Sequence, residues 1–323
     1  MHILYQILID PFVQMGSAPD LLVQTLWEGL VSGVLYALIA LGFVLIFKAS
    51  GVFNFAQGSM VLFAALSVAR MTEAMPLWLA VLLAVGIMVV FAFLVERLVL
   101  RPLVNQDPVV LLMATLGVTY FLNGFGQTVW GSDIYEINLG IAKEPVMILQ
   151  SVFQGGILIN KDDVAAAAAA VVLVILLALF FQKTKTGRAL RAVADDHLAA
   201  QSIGIPLNRI WVIVWSVAGV VALVAGVIWG AKLGVQFSVS QVALKALPVV
   251  ILGGFTSIPG AILGGLIIGV GEKMAEVFLG PVMVKAFDLA GGGIENWFAY
   301  VLALLFLLVL PEGLFGEKRI DRV

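Results

Sequence analysis

The chain has 323 residues, of which 62% are hydrophobic and only 12% charged, with a formal net charge of −2 and a mean hydropathy of +1.11. A soluble domain would have to expose that apolar excess to water, so the composition excludes the soluble class and points to an all-α, polytopic helical membrane protein. With no cysteine there is no disulfide, thiolate metal site or thiol nucleophile, and without a basic excess there is no electrostatic case for nucleic acid.

Taken in chain order, Met1–Ile9 is apolar but has neither a basic start nor a small-residue cleavage site, so a removed signal peptide is not expected. Leu21–Phe47, Val52–Ala69, Leu77–Val95, Val109–Trp130, Val164–Phe181, Ile210–Gly230 and Trp297–Leu310 each read as a helix near membrane-spanning length. Between the last two lies a broken apolar stretch, Val242–Gly254 and Gly260–Gly271, divided at Phe255-Thr256-Ser257-Ile258-Pro259. Proline lacks the amide N–H and glycine loosens the backbone, so one helix stops there and another starts. The expectation is eight or nine membrane segments in a single domain over 1–323.

Lys48, Arg97, Arg101, Lys183, Lys185, Arg188, Arg191, Arg209, Lys318, Arg319 and Arg322 are 11 of the 18 Lys/Arg. Placing them on the cytoplasmic side sets an outside N-terminus, an outside, acidic loop over 131–163 and an inside loop over 183–209. An inside C-terminal tail requires nine segments, and so two helices across 242–271. A second interruption, at Asn54-Phe55-Ala56-Gln57-Gly58, joins another pair of apolar helices on that side. Non-helical backbone at membrane depth persists only when buried in protein or lining a wet cavity. Asn54, Gln57, Gly58, Gly253, Gly254, Thr256 and Ser257 are therefore candidates for a translocation path, with packing as the alternative for the glycines. Asn123 and Gln127, four apart on one helical face, either line that path or hold helices together. Glu28 is the clearest intramembrane carboxylate, lining a path or snorkelling to the interface.

The polar, Ala-rich island over 187–204 stands between two spans and carries the densest basic cluster. Its composition is helical and it ends at Gly204-Ile205-Pro206, as expected of a segment that docks a cytosolic partner, or else of an ordinary linker.

Four motifs now stand in order: Tyr36-Ala-Leu-Ile-Ala-Leu-Gly42 with Asn54-Phe-Ala-Gln-Gly58, Gly187-Arg-Ala-Leu-Arg-Ala-Val-Ala194, and Leu252-Gly-Gly-Phe-Thr-Ser-Ile-Pro-Gly-Ala261. Together they resemble the LivH-type inner-membrane permease of branched-chain amino acid ABC importers, over roughly residues 20–315. The resemblance implies a permease subunit in the bacterial inner membrane. Its implied partners are a LivM-type second permease, two cytoplasmic ATPases, a periplasmic solute-binding protein and membrane lipids. It implies ATPase contacts at Arg188, Arg191, Ala194, Asp195, Asp196, Ala199, Ala200 and Gly204. It also implies a broken-helix element near the path at Asn54–Gly58. Many members carry His and Glu where this chain has Gln57 and Ser59, so a charge-based role is not carried to those positions. The family's solutes are leucine, isoleucine and valine, and relatives are associated with urea, amides and aromatic or other organic acids.

No phosphate-binding Gly-x-x-x-x-Gly-Lys-Ser/Thr loop is present in the sequence, so this chain is expected to be a transport subunit and not an enzyme. His2 and His197 lie far apart and outside the apolar runs, so neither a metal nor another cofactor is expected. An ion-coupled secondary transporter would need buried carboxylates in its broken helices, and few are visible in the spans. A membrane enzyme or a channel would need a catalytic constellation at depth or a charged ring, and the sequence displays neither.

Overall fold

The computed structural model describes residues 2–103, 106–142, 144–153, 156–195, 197–288 and 293–316. Helix α1 (His2–Ser17) leads into α2 (Pro19–Ser50), which ends in a left-handed cap at Gly51. Then come α3 (Gln57–Thr72), α4 (Leu77–Val95, prolonged to Leu103) and α5 (Pro108–Trp130). The next loop contains an antiparallel hairpin, β1 (Pro145–Ile148) with β2 (Ile157–Asn160), in which Pro145 faces Asn160 and Ile148 faces Ile157. The remaining helices are α6 (Lys161–Lys183), α7 (Lys185–Asp195), α8 (His197–Ser202), α9 (Leu207–Leu233), α10 (Ser238–Leu244), α11 (Ala246–Gly253), α12 (Ile258–Met274), α13 (Gly280–Phe287) and α14 (Ile294–Val309). A π-helical turn, Ala275–Leu279, joins α12 to α13.

Helix α2 is the axis of the bundle. Every residue from Leu35 to Ile46 is buried, because α3, α6, α9, α11 and α12 all pack on it. A helix apolar on all sides has no preferred solvent face and is stable only when surrounded. The most extensive packing is between α2 and α12, along a glycine seam. A methyl group on Gly33 would stand 2.7 Å from the Gly265 carbonyl oxygen, and one on Gly265 would stand 2.6 Å from that of Gly33. Gly29 meets Val270 in the same manner, and Gly269 sits against Gly33. Where lipid is as apolar as leucine, such close backbone approach provides dispersion that bulkier side chains would prevent.

The all-α expectation is corrected, and the expected number of segments is supported only in part. The fold is helical but carries the β1–β2 hairpin, whose short strands have no long apolar run to announce them. Among the described residues five helices are long and apolar enough to cross a membrane, or six if the bent pair Ser238–Gly253 and Ile258–Phe287, turned by 117°, is one span. That differs from eight or nine because the interruption at 51–56 shortens α3 to 16 residues and α14 also has 16, below the roughly 20 residues of a full crossing. The apolar stretch at 242–254 is divided further, since α10 and α11 meet at Lys245. Helices α1 and α13 are additions that the apolar runs did not mark.

Candidate functional sites at the two ends of the bundle

The two interruptions come together at the α2 C-terminus. Phe47 and Phe53 both contact the ring of Phe255, with centroids 5.3 and 6.1 Å apart, and Lys48 Nζ donates to the Thr256 carbonyl at 3.3 Å. At the first break Asn54, Gln57 and Gly58 are all buried. Asn54 Oδ1 accepts from the Ala56 amide at 3.1 Å, while its Nδ2 reaches Gln57 Oε1 at 3.5 Å. Thr115 on α5 reaches the adjoining backbone, accepting from the Phe55 amide at 3.3 Å, with its one hydroxyl proton shared between the Leu112 carbonyl at 2.9 Å and the Phe53 carbonyl at 3.3 Å. Gln57 Nε2 is buried without a hydrogen-bond partner and lies against the bare Cα of Gly42. Gly58 lets α3 approach α10, because a methyl there would stand 2.7 Å from the Ser240 carbonyl oxygen.

At the second break Gly254 has φ +100, a conformation that favours glycine, and Ser257 caps α12 by accepting from the Gly260 amide at 3.0 Å. Gly253 lies directly against Gly260. Thr256 and Ser257 are half-buried and share a cavity of about 510 Å³ with Lys48, Phe181 and Arg191. Asn123 and Gln127 are not part of this assembly. They lie on α5, where Gln127 is exposed and Asn123 Oδ1 is buried without a partner.

Helix α7 starts from a cap in which Thr184 Oγ1 accepts from the Gly187 amide at 3.0 Å. Leu190 and Val193 face the bundle, while Arg188 and Arg191 are exposed, so the short helix is amphipathic across its width. Ala194 is half-buried and Ala199 exposed; Ala200 turns into the core and so is not part of the exposed face. Asp195 ends the helix, and Asp196 lies outside the described residues, as does the basic tail at 318–322. Gly204, with φ +86, has open space where a side chain would be, and neighbouring Ile203 is 74% exposed, a residue that sequence reasoning passed over.

The opposite end of the bundle holds what the sequence concealed. A cavity of about 480 Å³ is lined by Glu28, Ser32 and Tyr36 of α2, by Trp229 and Lys232 of α9, and by Lys245, Glu272, Lys273 and Glu276. Glu272 is buried, receives Lys245 Nζ at 2.8 Å and the Tyr36 hydroxyl at 3.2 Å, and its Oε2 has no partner. Tyr36 stacks on Trp229 with centroids 5.8 Å apart, and the Trp229 indole N–H is likewise buried and unpartnered. Lys232 pairs with Asp163, and Lys273 with Glu276 at 2.6 Å. Glu28, the carboxylate singled out in the sequence, sits at the rim and accepts from Gln24 at 3.2 Å. These charges were hidden because they are embedded in apolar stretches far apart in sequence, and only the folding of α9, α11 and α12 around α2 collects them.

A buried helical bundle with paired broken helices at one end and a charged vestibule at the other is the architecture of a polytopic membrane permease. The chain belongs to the family described as branched-chain amino acid transport system/permease component, which matches residues 25–310. It is 28% identical to the high-affinity branched-chain amino acid transport system permease protein BraD of Pseudomonas aeruginosa, over 93% of this chain and 97% of that one. It is 27% identical, with the same coverage, to the corresponding LivH of Salmonella typhimurium. Against a probable LivH permease of Methanocaldococcus jannaschii it is 28% identical over 90% of this chain and 91% of that protein. No solved structure matches the chain.

Proposed function

We propose that this chain is one permease subunit of an ATP-driven importer in a bacterial inner membrane, and that it carries branched-chain amino acids or a related small solute. A periplasmic binding protein would deliver the solute, a second LivM-type permease would complete the path, and two cytoplasmic ATPases would drive it. The observation that carries this reading is the cavity shared by Arg191 of α7 with Thr256 and Ser257 of the second break. A force applied to α7 meets the broken helices directly. Because Lys48 and the rings of Phe47 and Phe53 tie the second break to the first, both would move together. In this reading Arg188, Arg191, Ala194, Asp195, Asp196, Ala199 and Gly204 contact the ATPase, and Asn54, Gln57, Gly58, Gly253, Gly254, Thr256 and Ser257 adjoin the path. The outer position of the 131–163 loop and an inside C-terminus complete the topology.

Co-expression with its ATPases tests the assignment: the chain should co-purify with them, and the reconstituted complex should couple ATP hydrolysis to leucine uptake. A single cysteine at Ser132, in a chain that otherwise has none, should react with an impermeant maleimide from outside, and one at Ser202 should not. The reverse labelling pattern rejects the orientation, and failure to bind an ATPase rejects the importer.

A further inference from the structure

The vestibule holds two buried polar atoms of opposite character with nothing to bond. Glu272 Oε2 is an acceptor in need of a donor, and the Trp229 indole N–H is a donor in need of an acceptor. Both side chains are more than nine-tenths buried, and both line the same cavity. A buried ion pair is often no more stabilising than a well-packed apolar pair, and an unsatisfied polar atom inside it adds a further desolvation penalty. Such an arrangement is intelligible when a ligand completes it. The ligand must offer N–H donors to a carboxylate and oxygen acceptors to an indole N–H beside an ammonium, since Lys245 Nζ, bound to Glu272 Oε1, retains further donor capacity. Val31, Leu233 and Val242 give the same cavity an apolar wall.

We propose that this vestibule is a solute-recognition site within the permease, where Glu272 takes the ammonium and Lys245 with Trp229 takes the carboxylate of an α-amino acid zwitterion. The site deepens the importer reading and rests on it. Tyr36 positions it, holding Glu272 through its hydroxyl and Trp229 through its ring. Tyr36 lies eight residues beyond Glu28, about 12 Å of helical rise, so the site stands well inside the rim. From Tyr36 to Gly42, which abuts Gln57, is about 9 Å more along the same helix.

Ser32 lines the cavity without entering these contacts, so Ser32→Cys serves as its reporter. In the assembled, nucleotide-free transporter, L-leucine should slow maleimide labelling of that cysteine. Isocaproate, isoamylamine and urea, which carry only one charge or none, should not. Glu272→Gln should weaken the protection by about tenfold, the order of one lost hydrogen bond to a charged group. Trp229→Phe, which keeps the ring stack, should weaken it severalfold and guards against a Glu272 variant that fails to fold. Equal protection by urea, or none by leucine, overturns the site. Leucine uptake measured on the same complex separates the two readings: uptake without protection removes the site and leaves the importer, whereas protection without uptake keeps the site and removes leucine as the transported solute.

Discussion

Along α2, Glu28, Ser32 and Tyr36 recur at four-residue intervals and face a cavity with charged walls, whereas Gly42 and Lys48 meet the two backbone breaks. At the vestibule end the polar groups are side chains, paired across helices and left with two atoms open. At the end with the breaks they are mostly backbone groups released by interrupted helices and met by Thr115, Asn54, Lys48 and Ser257, with Gln57 Nε2 the side-chain atom left open. Charged side chains suit recognition of a solute, because they discriminate by charge. Satisfied backbone breaks suit movement, because exchanging one set of neutral hydrogen bonds for another changes the free energy little.

The glycine seam joins α2, which runs between the two ends, to α12, and breaking it should have the largest effect. Gly33→Leu or Gly269→Leu forces a side chain into the backbone of the facing helix, so stability should fall by more than about 3 kcal/mol. Thermal unfolding of the detergent-solubilised protein measures this, and an unchanged midpoint would show that α2 and α12 do not pack as described. Next is the exposed surface of α7 and its neighbour Ile203. Arg191→Glu combined with Ile203→Asp should lower coupled uptake by roughly tenfold or more, as loss of an interface anchor does, while the unfolding midpoint stays put. Normal uptake in that double variant would move the docking surface elsewhere.

A smaller effect sharpens the contrast at the first break. Gly42→Ala should cost about 1–3 kcal/mol, because its methyl group collides with the Gln57 amide. Gln57→Ala alone should slow transport mildly, by on the order of 1 kcal/mol in activation free energy. Combining the two should recover most of the Gly42→Ala loss, since the colliding amide is gone. A strictly additive double-mutant cycle in unfolding would separate the two residues. Inserting charge at the first break, as Gln57→Glu, should impair transport more than Gln57→Ala, if its neutrality is what allows movement.

How much of this was legible before folding differs between the ends. The end with the breaks announced itself, because Asn54, Gln57 and Gly58, or Gly253, Gly254 and Pro259, are clustered in sequence within apolar surroundings. Thr115, which reaches the first break from α5, gave no local signal. Asn123 and Gln127 did give one, but the fold leaves Gln127 exposed on α5. The vestibule was invisible for the converse reason: Tyr36, Trp229, Lys245 and Glu272 are spread over more than two hundred residues, each embedded in its own apolar stretch.

Composition and hydropathy by themselves determined that the chain is a helical membrane protein, and clustered glycine, proline and amide residues determined where its helices break. Those are local properties, decided by backbone chemistry and by the preference of apolar surface to leave water. Only the tertiary structure decided that the breaks meet, that charges from several helices line one cavity, and that two buried atoms there stand unpaired. Long-range pairing depends on which helix lies beside which, and here that was settled by the small residues of the α2–α12 seam, whose significance appears only when the facing backbone is in place.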